Sequence, residues 1–326
     1  MSAARRPARR FDEARAVELF LRAFAAPKAS GVELGIGDDA AVLAPRREKL
    51  VWTVDASVEG THFERAWLSL EDVGFRAFQA AASDLAAMGA RPLAALSALT
   101  LPRHFSAAEL ARLTAGQAEA ARDCRCPIVG GNVARGRELT VTTTVLGAAQ
   151  RPLTRAGARP GDEVWLVGDV GLAAAGLELL RRGRRRSRAS APAEAVAAWR
   201  RPRALLERGR ALDGHAHAAI DVSDGLGLDA SRLASASGCR VVLEETALAR
   251  VLVRSLVKLA PGLGRSALDF ALRGGEDYAL IVTGRAALRP RWARRVGRCE
   301  RGDGGFLERP DGSRRPLGDG FDHFAA

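Results

Sequence analysis

The sequence predicts a two-domain chain of α/β (α+β) class. Three observations carry that expectation. The chain has 326 residues, enough for two domains of ordinary size. Runs rich in β-branched residues alternate with stretches of helical period in both halves. A segment punctuated by Pro and Gly, AQRPLTRAGARPGDEV, breaks that alternation near the middle. The boundary is therefore placed near residue 149, giving domains 1–149 and 150–326.

The elements follow in order from periodicity. Residues 11–26 read as an amphipathic helix and 50–55 (LVWTVD) as a strand. Residues 70–88 form an alanine-rich helix. Strands are expected at 93–101 and 139–148, with a helix at about 106–123 between them. RELTVTTTVLG is the clearest strand because it is full of β-branched residues. The second half opens with strand EVWLVG and the Gly-opened helix GLAAAGLELL. An Arg-rich segment and a helix to about residue 213 come next. HAAIDVSDGLG reads as strand then turn, leading into a helix at 226–237. CRVVLEE and YALIVT are further strands. No repeat at a solenoid period is visible.

Composition bounds the function. With 47% hydrophobic and 27% charged residues the chain reads as globular rather than disordered. No apolar stretch approaches the roughly 18 residues of a membrane helix. The basic start, MSAARRPARRFDEARAVELF, is interrupted by charge and does not read as a secretory signal. The four cysteines (Cys124, Cys126, Cys239, Cys299) lack C-x-x-C spacing and a His cluster, so free thiols in a reducing cytoplasm are expected. The net charge of +12 is local: residues 181–210 hold 11 Arg against two Glu, and residues 1–10 hold four Arg. No nucleic-acid-binding motif accompanies these arginines. They read as a solvated insertion and a tail, and nucleic acid is not an expected partner.

Chemistry points to the aspartates, which collect beside glycines or at the ends of apolar runs. GIGDDAAVL carries Asp38 and Asp39. VWTVDAS puts Thr53 and Asp55 on one face of a strand. Asp84 lies in ASDLAAMGARP. IDVSDG carries Asp221, Ser223 and Asp224, and RGGEDY carries Glu276 and Asp277. Together they suggest one shared acidic cleft. Oxygen ligands without matching His or Cys favour Mg²⁺ over zinc, and neighbouring glycines let backbone N–H groups approach phosphate. None of the three lysines can end a P-loop, so any ATP site here must use another scaffold.

At these residues the sequence resembles the thiamine-monophosphate kinases of the aminoimidazole ribonucleotide synthetase superfamily. The ordered matches are ELGIGDDAAVL, TVDASVEGTHF, SDLAAMGARPLAALSALTLP, IVGGN, LTRAGARPGDEVWLVGDVGLAAAGL, IDVSDGLGLD, ALRGGEDYALIVT and GFDHF. The resemblance implies two α/β domains, the N-terminal sheet pairing with that of a second subunit in a homodimer. It implies ATP-dependent, Mg²⁺-assisted phosphorylation of thiamine monophosphate to thiamine diphosphate. Carried over residue by residue, it puts metal on Asp39, Thr53, Asp55, Asp84, Asp221 and Asp224, with Asn132 at a further metal position. It puts ATP contacts on Gly131, Arg155 and Ser223, and substrate contacts on His62, Glu276 and Phe321. No catalytic group is implied beyond metal and phosphate positioning.

The chain departs from the family pattern at Asn132, where an Asp is common, at Val54, where a Thr is common, and at Ala81 and Ala82, where Asn-Leu is common. An Asn offers oxygen without charge, so the expectation is a working enzyme with fewer or weaker metals. Two alternatives stay open. One is another ATP-using enzyme of the same superfamily. The other is a catalytically impaired nucleotide or thiamine-phosphate binder.

Overall fold

The computed structural model describes residues 13–24, 31–34, 40–184 and 190–318. The expected site residues Asp39 and Phe321 lie outside the described residues, as do Arg185, Arg186 and Arg188 of the basic segment.

Helix α1 (Glu13–Phe24) is followed by a small hairpin, β1 (Val32–Leu34) and β2 (Val42–Leu43). Then come β3 (Lys49–Val58), α2 (Leu70–Ala87), β4 (Arg91–Pro102), α3 (Ala107–Asp123), β5 (Ile128–Gly136) and β6 (Thr140–Ala149). Strands β3, β6, β4 and β5 form a sheet in that order. Helix α2 starts at Ser69, whose Oγ accepts from the Asp72 N–H at 3.1 Å. A full capping box between Ser106 and Glu109 starts α3.

Strand alternation gives the sheet two different faces. Val51, Val141, Val145, Ser97 and Leu99 are buried on the side that meets α2 and α3. The opposite side carries Leu50, Trp52 and Val54, which are 61%, 72% and 63% exposed. No described element covers them.

The second half contains β7 (Glu163–Val167), α4 (Leu172–Arg181), α5 (Ser190–Arg200), α6 (Leu206–Arg210), β8 (Ala218–Val222) and α7 (Leu226–Ser237). It continues with β9 (Arg240–Glu244), α8 (Glu245–Val251), α9 (Arg254–Leu259), α10 (Ala267–Arg273), β10 (Ala279–Gly284), β11 (Arg294–Glu300), β12 (Gly305–Glu308) and β13 (Arg314–Pro316). Its seven-stranded sheet runs β13-β12-β9-β11-β7-β10-β8. Central strands are buried on both faces, as their unbroken apolar runs require. Trp165, Val167, Ala219 and Leu280 join a core shared with α2, α4 and α5. Val164, Leu166, Ile220 and Ile281 face α7. Helix α2 therefore packs against both sheets, and its C-terminal turn lies where the two halves meet.

One expected element takes a different form. The helix expected to run to about residue 213 is two helices, α5 and α6, separated around Pro202, which cannot continue a helical hydrogen-bond ladder. Two described arginines of the basic segment tie it to the N-terminal half: Arg201 reaches Asp72 at 3.1 Å and Glu119 at 2.5 Å, and Arg203 reaches Asp123 at 3.0 Å. All four cysteines are free and buried. No described helix is long and apolar enough to cross a membrane.

Candidate active site

Three carboxylates from three elements meet at the junction. Asp55 is on β3, Asp84 sits in the last turn of α2, and Asp221 is near the end of β8. The Thr53 hydroxyl donates to Asp84, so the expected sharing of one strand face by Thr53 and Asp55 aims both at α2. Ser83 donates its hydroxyl to Asp221 at 2.8 Å and joins the two halves of the chain. Burial, together with the charge of Asp84, holds Asp55 above the ordinary carboxylate range. Burial and Asp84 push Asp221 up to about 7, against the Ser83 hydrogen bond. Burial is the larger cause at both carboxylates. Among the described residues, no group of three or more His, Cys, Asp or Glu is placed to hold a metal by itself.

The turn that follows β8 is tied down separately. The Asp224 N–H donates to Asp229 at 3.1 Å, and Arg232 bridges Asp224 and Asp229 at 2.5 and 2.8 Å. Burial pushes Asp229 up to about 6. Against this turn lies the segment carrying Glu276. The Glu276 N–H donates to the Ser223 carbonyl at 2.8 Å, and the Tyr278 N–H donates to the Val222 carbonyl at 2.9 Å. A Cβ at Gly275 would stand 2.2 Å from the Ser223 carbonyl oxygen, so only glycine allows this approach. Glu276 and Tyr278 both hold positive φ, at 74° and 51°, a strained conformation for side-chain-bearing residues.

Glu276 forms an ion pair with Arg76, which is buried in α2. Arg76 also donates to the Trp199 carbonyl and lies 4.5 Å from the centre of the Trp199 ring. Its charge reaches Asp55 and Tyr278. Arg76 and Ser83 were not anticipated as site residues. Their signal was available: both are polar residues of the alanine-rich helix, seven residues apart and thus on one face.

The other expected residues fall as follows. His62 Nδ1 accepts from the Val58 N–H at 3.1 Å, and its ring lies near enough to Asp55 to favour the charged carboxylate. Arg155 is exposed, and its charge reaches Asp221. Asp277, grouped with Glu276 in sequence, instead accepts from the N–H groups of Gly171 at 2.5 Å and Ala173 at 3.0 Å. It caps the start of α4. Gly131 sits opposite Ser97, and a Cβ there would stand 1.8 Å from the Ser97 carbonyl oxygen, so the glycine has a packing reason. Asn132 pairs with Ala98, one residue out of step with the Asp55–Thr143–Ser97–Gly131 row. It therefore stands on the open face, away from the carboxylates of its own chain.

The chain is similar to known proteins along most of its length. The family described as AIR synthase related protein, N-terminal domain, matches residues 37–149, and its C-terminal domain matches residues 159–280. The thiamine-monophosphate kinase of Aquifex aeolicus is 33% identical over 280 residues, covering 84% of this chain and 89% of that protein. A solved thiamine-monophosphate kinase from Stenotrophomonas maltophilia superposes with a TM-score of 0.81 at 31% identity, covering 92% of this chain and 97% of that one. A structure described as AaThiL complexed with AMPPCP and TMP superposes with a TM-score of 0.78 at 30% identity, covering 91% and 92%. With both AIR synthase related domains matched and this likeness along most of its length, the chain belongs to the thiamine-monophosphate kinase family.

Proposed function

We propose that this chain transfers the γ-phosphoryl group of ATP to thiamine monophosphate, forming thiamine diphosphate and ADP. The observation that carries this reading is the meeting of Asp55, Asp84 and Asp221 where the two halves join, with Asp55 and Asp221 held above their ordinary range. An oxygen on the terminal phosphate of thiamine monophosphate attacks the γ-phosphorus. The bond to the β-bridging oxygen breaks, and its electron pair leaves on ADP. The attacking oxygen is already ionised, so no general base is needed, and the task is to position and neutralise two anions.

The donor set fits magnesium: carboxylate and hydroxyl oxygens, excess negative charge, and no thiolate. Asp55, Asp84 and Asp221 would hold it, with Thr53 and Asp224 beside them and substrate phosphates completing the shell. Asp39 is assigned to the same set. When bound, magnesium supplies positive charge to the phosphates and lowers the repulsion between these carboxylates. Arg155, Ser223 and Gly131 are assigned to the ATP contacts. His62, Glu276 and Phe321 are assigned to the thiamine end. The Arg76 ion pair fixes Glu276 in place for that role. Asn132 is assigned to a metal position only across a subunit contact, because it faces away from the acidic cluster of its own chain.

Residues 1–149 form the N-terminal nucleotide and metal domain in this reading, and 150–326 the C-terminal domain. The exposed apolar face of the four-stranded sheet pairs with that of a second copy. Four buried free thiols fit the reducing cytoplasm.

Incubation with thiamine monophosphate, ATP and Mg²⁺, followed by chromatography, tests the assignment. Wild type should form thiamine diphosphate, and Asp55→Asn should form at least about 100-fold less, as expected when an electrostatic ligand group is lost. Equal turnover by the two proteins would remove Asp55 from the site. No product from wild type would overturn the substrate assignment.

A further inference from the structure

A second charged site lies elsewhere in the C-terminal half. A cleft of about 520 Å³ opens between α8 and the segment entering β11, and five arginines line it: Arg250, Arg289, Arg291, Arg294 and Arg295. Arg294 and Arg295 open β11, next to β7 and β9. Strand β8, which carries Asp221, is three positions from β11 in the sheet. At the usual strand spacing that is a separation of about 14 Å.

The five side chains divide into two groups. Three are anchored. Arg294 donates to the Val251 carbonyl at 3.0 Å and pairs with Asp169 at 3.0 Å. Arg295 holds Glu244 through two bonds of 2.6 and 2.7 Å, and Arg289 reaches Glu163 at 3.4 Å. Arg250 and Arg291 are exposed and have no hydrogen-bond or ion-pair partner among the described residues. Arg250 lies in the last turn of α8, where a cation also meets the helix dipole favourably. The anchored arginines and the two exposed, unengaged arginines line the same cleft. The anchored arginines are paired with acids, so the unbalanced positive charge of the cleft comes from Arg250 and Arg291, whose guanidinium forks match phosphate oxygens.

We propose that this cleft is a binding site for a small phosphorylated anion, separate from the carboxylate site at the domain junction. The two unengaged arginines, Arg250 and Arg291, provide most of the recognition. Arg294 and Arg295 orient it.

Titration calorimetry of the full chain with inorganic pyrophosphate, in EDTA, tests this. Without a divalent cation the acidic junction repels the probe. One saturable site per chain is expected, weakened at least tenfold in the Arg250→Gln, Arg291→Gln double variant. Product formation from ATP and thiamine monophosphate should be unchanged in that variant. Absence of saturable binding to wild type, or equal binding by the variant, would overturn the proposal. So would a parallel loss of product formation, which would make the cleft part of the junction site.

Discussion

At the scale of single residues, the carboxylate cluster works against the stability of the metal-free protein. Asp221 is pushed up to about 7 by burial and by Asp84, whereas an unfolded chain releases this proton near 4. Between those values the folded state binds more protons than the unfolded state. Its contribution to stability is therefore present below about pH 4 and lost as pH rises through about 7. Asp221→Asn keeps an acceptor for Ser83 but removes the charge. At pH 8 in EDTA this variant should melt higher than wild type, by roughly 2–4 °C if the relief is worth about 1 kcal/mol. The gap should be smaller at pH 4.5 and close as pH falls below about 4. Thiamine diphosphate formation should fall at least about 100-fold. Thermal melts at both pH values and the product assay check the pair of effects. A lower melting temperature for the variant at pH 8 would mean that Asp221 is already compensated in the metal-free state.

At the scale of elements, the acidic pair in RGGEDY divides into two roles. Helix α4 begins at Gly171, which has no side chain to cap the helix and holds φ at 84°. Asp277 supplies the missing acceptor from more than 100 residues away. Asp277→Ala should lower stability by about 1 kcal/mol, the usual loss on removing a helix cap. Burial pushes Asp277 up to about 7, so Asp277→Asn, which retains one acceptor, should be tolerated better at pH 8 than at pH 5. Thermal melts of the two variants at those pH values check the assignment, and equal melting of Asp277→Ala and wild type would remove the cap. Sequence alone could not separate Glu276 from Asp277, because their partners, Arg76 and the α4 amides, arrive only through tertiary folding. The apolar strands and the long helices α2, α3 and α7 were legible because their periodicity is strong. Strand β5 was not, since Gly130 and Gly131 carry no β signal, and so its register and the outward direction of Asn132 were hidden as well. Strands β11, β12 and β13 were hidden by arginines. Arg298 and Arg314 look like loop residues in sequence, yet they pair across strands with Glu244, Glu300 and Glu308. The short helices α8, α9 and α10 are too brief to show a period.

At the scale of the whole molecule, the two faces of the four-stranded sheet have unequal fates. The inner face is sealed by α2 and α3, while Leu50, Trp52 and Val54 stand exposed on neighbouring positions of β3, with Leu96 on β4 facing the same way. A contiguous apolar patch of this kind on a folded domain marks an interaction surface. The surrounding Thr142 and Thr144 of β6 carry no charge, so a second copy of the same face can stack on it without burying an unpaired ion. A symmetric pairing of this patch would account for the otherwise unfavourable exposure of a tryptophan. The Trp52→Arg, Val54→Arg double variant places two like charges on each half of that contact. Its circular dichroism spectrum should match wild type, because neither side chain packs within its own chain. Sedimentation at micromolar concentration should shift from two copies to one. Product formation separates two forms of the assembly. Loss of activity with a folded monomer would mean that each site needs the partner's sheet, which would give Asn132 a route to a metal. Retained activity would confine the reaction to Asp55, Asp84 and Asp221 of one chain. A wild-type chain that sediments as one copy would remove the pairing altogether and leave the apolar face for a different partner.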